Sequence, residues 1–128
     1  MKNQVLSIEQ MKHLQELGVD TSKASMVWGG TKDWQELYTP RLLEFDTEAN
    51  YIIETFTLQD MLEIMPYLLF NTYFLNINKS SNKWWFIKYT DYLAHDDYEF
   101  WHSSDLLDVA YQCLCWLAEN DYLKGGKK

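Results

Sequence analysis

The residues of this chain best suited to chemistry lie between positions 95 and 102, where histidines and carboxylates stand close together. They are His95, Asp96, Asp97, Glu99 and His102. Imidazole nitrogens and carboxylate oxygens are ligands that divalent metals accept in proteins. Their spacing matches no metal-binding motif, and a polar stretch of this kind is usually only a loop. We therefore expect no bound metal here.

A second candidate is Gly29-Gly30-Thr31-Lys32, which resembles the end of a phosphate-binding loop. That motif has an earlier glycine and then Gly-Lys-Ser/Thr in order, between a strand and a helix. Here the threonine precedes the lysine, so we expect neither a bound nucleotide nor any other cofactor.

The remaining candidates for catalysis are Cys113 and Cys115. Two cysteines fall short of a structural zinc set. If they lie in a helix, they point in nearly opposite directions and cannot share a ligand. We interpret them as small buried residues in a reducing compartment. Because the chain also has no G-x-S-x-G and no H-E-x-x-H motif, we predict that it is not an enzyme.

Length and charge narrow the class further. The 128 residues are 47% hydrophobic, which favours one folded domain over residues 1–128. No apolar run reaches the roughly 18 residues of a membrane helix, so we expect no membrane contact and a cytoplasmic location. The net charge of −8 disfavours direct nucleic-acid binding, which needs a positive field. Acidic residues around the middle strands leave mimicry of DNA as a minor alternative; they are Glu44, Asp46, Glu48 and Glu54.

Two helices are marked by their caps. Ser7 followed by Gln10 is a capping box, and Gly18 suits the positive φ needed after a helix. Thr57 begins a second helix in the same way, and Pro66 ends it.

The last helix should begin after Ser103-Ser104-Asp105 and run to about Asn120. Apolar residues surround most of it: Leu106, Leu107, Val109, Ala110, Tyr111, Leu114, Trp116, Leu117 and Ala118. A helix that is apolar nearly all round is buried on several sides, so we expect it to be the central core helix. An interface on one of its faces is the alternative.

Between the helices lie short runs typical of strands. They are Ser25–Trp28, ended by Gly29-Gly30, and then Leu42–Phe45, Tyr51–Thr55 and Tyr98–His102. Together with a hairpin over Tyr73–Tyr89, they predict an α+β fold with a mainly antiparallel sheet and three helices, the C-terminal one central.

In the hairpin, a loop over residues 79–83 would pair Ile77 with Trp85. The same register pairs Leu75 with Ile87 and Tyr73 with Tyr89. Side chains alternate between faces, so Phe74, Trp84 and Phe86 go to the opposite side. A solvated face would not normally carry three such aromatics. We expect a helix or another strand layer of the chain to cover them; otherwise a partner protein does, and these three residues are then the protein-binding site.

Three segments carry a family resemblance: LSIEQMKHLQELGVDTSKASMVW, FTLQDMLEIMP and DLLDVAYQCLCWLAENDYL. Together they resemble a set of small proteins of gut bacteria, carried by phages and mobile elements, that have no assigned activity. That set has a helix ending in Leu-Gly-x-Asp, a Phe-Thr-Leu-Gln-Asp helix start and a C-terminal Cys-Trp-Leu helix. The resemblance implies a genomic context and no functional residues.

These observations favour a small acidic, non-catalytic protein encoded by a phage or mobile element. We expect it to bind a protein partner, and inhibition or regulation of that partner is one form of this function. The alternative is a structural or assembly protein that associates with itself as a homo-oligomer.

Overall fold

The computed structural model describes residues 4–31, 34–38 and 51–123. The chain divides into two compact units, residues 1–60 and 61–128. The predicted strand Leu42–Phe45 lies outside the described residues, and the single domain stays a prediction. The elements are α1 (Ile8–Glu16), β1 (Met26–Thr31), β2 (Trp34–Tyr38), β3 (Tyr51–Thr55), α2 (Leu58–Ile64), β4 (Leu68–Leu69), β5 (Tyr73–Ser80), β6 (Trp84–Asp91), β7 (Asp96–Ser103) and α3 (Leu106–Glu119).

The fold class is confirmed. The described residues form three helices and two antiparallel sheets, so the chain is α+β with a mainly antiparallel architecture. None of the helices in the described ranges is both long enough and apolar enough to cross a lipid bilayer.

In the first unit, α1 begins as its cap residues predict. The Ser7 hydroxyl accepts from the Gln10 amide, and the Gln10 side chain accepts from the Ser7 amide. Gly18 follows the helix with a φ of 87°, the left-handed conformation that glycine adopts without a Cβ clash. Met11 and Leu14 of α1 are fully buried.

The sheet of this unit has the strand order β2-β1-β3. Gly29 and Gly30 do not end β1, as the sequence had suggested. They continue it as far as Thr31 and pair with β2 on one side and β3 on the other. Pairing on both sides supplies partners for the strand's backbone groups, which outweighs the low strand propensity of glycine.

A single carboxylate connects the start of α2 to the chain segment that enters β1. Asp60 accepts from the Thr57 amide at 2.9 Å, from the Ser25 amide at 2.9 Å and from the Ser25 hydroxyl at 2.5 Å. Burial alone would raise the pKa of Asp60, but the hydrogen bonds from Ser25 and Thr57 outweigh it and hold that pKa below its usual value. The charged form of Asp60 therefore stabilises the first unit.

The second unit contains the sheet β4-β5-β6-β7. The predicted hairpin is present, but its register is wrong by two residues: Ile77 pairs with Ile87, and Lys79 pairs with Trp85. The strands continue to Ser80 and resume at Trp84, so the turn has three residues, and Ser81 adopts a φ of 76°. A shift of two residues preserves the faces, because side chains alternate with a period of two.

Helix α3 begins and ends where the sequence predicts, with Asp105 as its N-cap and Asn120 as its C-cap. It packs on β6 and β7. Its buried residues are Val109, Ala110, Cys113, Leu114, Cys115 and Leu117. In the second unit it is thus the helix that forms the core against the sheet.

Candidate functional site

The four-stranded sheet has one covered and one open face. On the covered face, Ile87 and Tyr89 of β6 are fully buried. The indole of Trp116 on α3 lies 5.1 Å from that of Trp101 and 6.5 Å from the Tyr89 ring, measured between centroids. The Tyr89 hydroxyl donates a 2.7 Å hydrogen bond to the Pro66 carbonyl. This face belongs to the core.

The open face carries an aromatic group that we call the open-face cluster, made of Trp84, Phe86, Phe100 and His102. The His102 ring is its centre. It stacks on Phe86 at 5.4 Å with 22° between the planes, and the indole of Trp84 meets it edge-on at 5.3 Å. Phe100 lies 6.4 Å from Phe86. Trp84 is 43% exposed and Phe100 is 48% exposed.

The structure therefore brings together two of the three predicted binding residues, Trp84 and Phe86, through His102. It does not bring Phe74 to them. Phe74 pairs with Thr90, four residues along β6 from Phe86, which corresponds to about 13 Å. The expectation that helices or strands of the chain cover this face is wrong for Phe74 and Trp84, because Phe74 remains 41% exposed and Trp84 43% exposed.

Sequence reasoning missed Phe100 and His102 as members of this surface. Both lie on β7, and their contacts depend on how β7 pairs with β6: Phe86 faces His102, and Lys88 faces Phe100. The alternation within the predicted strand Tyr98–His102 was a usable signal, because it places Phe100 and His102 on the same face.

Between the open-face cluster and Phe74 lies Lys88, whose positive charge is neutralised by an ion pair. The Lys88 ammonium is 3.7 Å from the Asp97 carboxylate and 5.5 Å from the Phe86 ring centroid. The Thr90 hydroxyl donates to Asp97 at 2.9 Å. The Lys88 ammonium thus lies over the Phe86 ring and, paired with Asp97, brings no net positive charge to the face.

The histidines and carboxylates considered as metal ligands are spread along β7 and the turn before it. His95 lies in the preceding turn with a φ of 58°, whereas His102 lies near the far end of the strand, roughly 20 Å away. In the part of the chain that the structure describes, no three His, Cys, Asp or Glu side chains form a group able to hold a metal ion. These residues lie along an edge strand whose acidic side chains are concentrated in its first half.

Cys113 and Cys115 are free and buried, as predicted. Burial raises the pKa of both thiols, which disfavours the thiolate form that nucleophilic catalysis uses. Gly29 and Gly30 lie inside β1 rather than in a loop before a helix. Among the acidic residues considered for DNA mimicry, Glu54 accepts a hydrogen bond from Thr21, and the other three lie outside the described residues.

Comparisons with known proteins bring no relative to this geometry. The chain matches no protein-family model, no curated protein and no solved structure at a significant level. The resemblance to small phage and mobile-element proteins stays a prediction.

Proposed function

We propose that this chain is a small non-catalytic protein that binds another protein through the open-face cluster. The observation that carries the proposal is the exposure of Trp84 and Phe100, at 43% and 48%, on the sheet face opposite the one that α3 covers. An antiparallel sheet that faces water normally alternates apolar with polar residues. Aromatic groups left on the polar side are typical of binding surfaces.

The chemistry of the cluster supports a protein partner over nucleic acid. Stacked aromatics also bind bases, but such sites pair them with a positive groove that follows the phosphates. Here the cation on this face, Lys88, is paired with Asp97, and the chain carries a net charge of −8. An exposed aromatic cluster fits the core of a protein interface.

The genomic and cellular context is part of the same proposal. The resemblance of the three quoted segments supports a phage or mobile element as the source, with a host protein as the partner. The free, buried thiols of Cys113 and Cys115 support a reducing compartment and hence the cytoplasm.

The test is a comparison of captured proteins. The wild-type chain, the double variant Trp84→Ala/Phe86→Ala and the control Tyr67→Ala, which removes a 74% exposed aromatic outside the cluster, are each used as bait in host lysate. We expect one protein to be retained by the wild type and the control and lost by the double variant. Equal retention by all three would place the interface elsewhere.

A second candidate is self-association, which one observation favours. Strand β7 is an edge of its sheet: within the described residues, no strand pairs with its outer side. Its first half is acidic and its second half aromatic, so antiparallel pairing of two copies sets acidic residues of one against Phe100, Trp101 and His102 of the other. Such pairing avoids like charges across the new ladder.

Mass in solution separates this candidate from the first. If β7 pairs with a second copy, light scattering after gel filtration should show a mass that rises towards twice 15.3 kDa with concentration. Phe100→Glu should keep the chain monomeric, and Ile77→Glu, on β5, should not. A constant monomer mass for the wild type would exclude self-association at the concentrations tested.

A further inference from the structure

A cavity of about 350 Å³ lies at the edge of the open face. It is located where β5 begins and β6 ends, at the opposite end of these strands from the open-face cluster. Its lining residues come from the turn before β5, from β5 itself, from the last residue of β6 and from the turn after it: Asn71, Thr72, Phe74, Asp91, Tyr92 and Leu93. We call it the Phe74 pocket. All of it belongs to the second unit.

Two aromatic rings form one side of the Phe74 pocket. The Phe74 and Tyr92 centroids are 5.7 Å apart, with 36° between the ring planes. Asn76 holds the Tyr92 ring in place by donating a 3.1 Å hydrogen bond to its hydroxyl. The side chains remain 41% and 51% exposed, so π surface is available to a ligand. Such a surface attracts a cation through the ring quadrupole.

A carboxylate lies beside these rings. Asp91 Oδ1 accepts from the amides of Leu93 at 3.0 Å and Ala94 at 3.2 Å, which fixes the orientation of the group. Asp91 also stands directly opposite Asp96 in the β6–β7 ladder, and like charges opposite one another are destabilising. Neither carboxylate has an ion-pair partner among the described residues. The pocket therefore combines oriented negative charge with aromatic surface and contains no cation of its own.

We propose that the Phe74 pocket binds the guanidinium group of an arginine presented by the protein partner, an inference that rests on the proposed function. A guanidinium is planar and delocalised, so it stacks on aromatic rings while its N–H groups donate to a carboxylate. An apolar side chain would desolvate the Asp91 carboxylate without giving it a compensating cation. The net charge of −8 draws a basic partner surface towards the chain.

The first experiment isolates the pocket from the unknown partner. N-acetyl-arginine N-methylamide is titrated into the ¹⁵N-labelled chain, and N-acetyl-citrulline N-methylamide, which has a neutral urea in place of the guanidinium, is the matched control. We expect saturable amide shifts at Thr72, Tyr92 and Leu93 with the arginine probe and much smaller ones with citrulline. Equal shifts with both probes, or none at these amides, would overturn the proposal.

Variants then assign the two contacts. Asp91→Asn keeps an oxygen for the turn hydrogen bonds and should weaken binding of the arginine probe about tenfold, the loss expected for one charge-assisted contact. Phe74→Leu should weaken it about threefold. Asp96→Asn makes the same charge change without lining the pocket and should have a clearly smaller effect. If Asp91→Asn and Asp96→Asn weaken binding equally, the contact is only a general charge effect and the pocket is not the site.

The same variants separate this inference from the proposed function. If Trp84→Ala/Phe86→Ala loses the captured protein while Asp91→Asn retains it at full affinity, protein binding stands and the arginine contact is wrong. If Asp91→Asn also weakens capture, and the arginine probe competes with the partner while the citrulline probe does not, both the proposed protein binding and the arginine contact are supported.

Discussion

The two faces of the four-stranded sheet are built from the same strands and the same kinds of side chain, yet they differ in solvent exposure. On one face Ile87 and Tyr89 are fully buried beneath α3. On the other, Phe74, Trp84 and Phe100 stay between 41% and 48% exposed. Aromatic content alone does not distinguish core from binding surface. The covering element decides, and for this sheet α3 covers only one face.

The largest expected effect lies on the covered face. Leu114→Ala and Leu117→Ala each remove a fully buried side chain of α3 and should each cost about 2–5 kcal/mol of unfolding free energy. Denaturant midpoints measure the loss. Trp84→Ala is the control from the open face and should change stability far less. A loss below about 0.5 kcal/mol for either leucine would mean that α3 is peripheral.

On the open face the effect should fall on binding instead. Trp84→Ala is expected to weaken association with the partner by about 2 kcal/mol, the scale of an interface hot spot, while leaving the unfolding free energy nearly unchanged. Calorimetric titration with the captured protein checks the affinity, and a melt checks the fold. An unchanged affinity would mean that the exposed face does not bind the partner through Trp84.

A smaller effect concerns the hydroxyl of Tyr89. Tyr89→Phe removes its hydrogen bond to the Pro66 carbonyl and should cost about 1 kcal/mol at neutral pH. Tyr67→Phe, with a 74% exposed side chain, is the control. Chemical denaturation of both variants measures the difference, and equal losses would contradict the assignment of Tyr89 to the core.

Tyr89 also gives stability a pH dependence. Burial, with a smaller contribution from Cys113 nearby, raises the pKa of Tyr89 far above its usual 10. The folded state therefore keeps a proton that the unfolded state loses, so this contribution is complete below pH 10 and declines above it, by about 1.4 kcal/mol per pH unit. Tyr89→Phe should flatten that decline. Part of the decline should remain in the variant, because burial also raises the pKa of the Cys113 thiol.

The smallest expected effect is that of a chelator, which should not change the stability of the chain. Because His95 lies in the turn before β7 and His102 near the other end of that strand, a chelator should leave the melting temperature unchanged. Thermal melts with and without the chelator should coincide. A drop of several degrees would mean that a metal stabilises the chain, and the expectation of no bound metal at residues 95–102 would be wrong.

The sequence predicts those parts of the fold that local chemistry decides. Ser7, Asp105 and Asn120 mark helix ends because capping depends on neighbours within one turn. Hairpin register depends on the turn, and the positive φ at Ser81 allows a three-residue turn that composition alone does not indicate. Since the resulting error was two residues, the assignment of side chains to faces survived it.

The candidate site was predictable only within one hairpin. Alternation placed Trp84 and Phe86 on one face, but their contacts with Phe100 and His102 arise from a third strand whose pairing no local signal fixes. The irregularity between Tyr89 and Thr90 adds to this, because it shifts the register at Tyr98. It allows Tyr98 to stack on Tyr73 at 4.6 Å, and the sequence predicts no such contact.

The Asp60 carboxylate has a consequence for how the first unit opens. It holds the amide hydrogens of both Ser25 and Thr57, and the bond to Ser25 closes a loop of 35 residues. Fraying at the start of α2 therefore also releases the entry to β1. In native-state hydrogen exchange these two amides, far apart in the chain, should be exposed by the same opening and share one protection free energy, so that the helix start and the strand entry behave as one cooperative element.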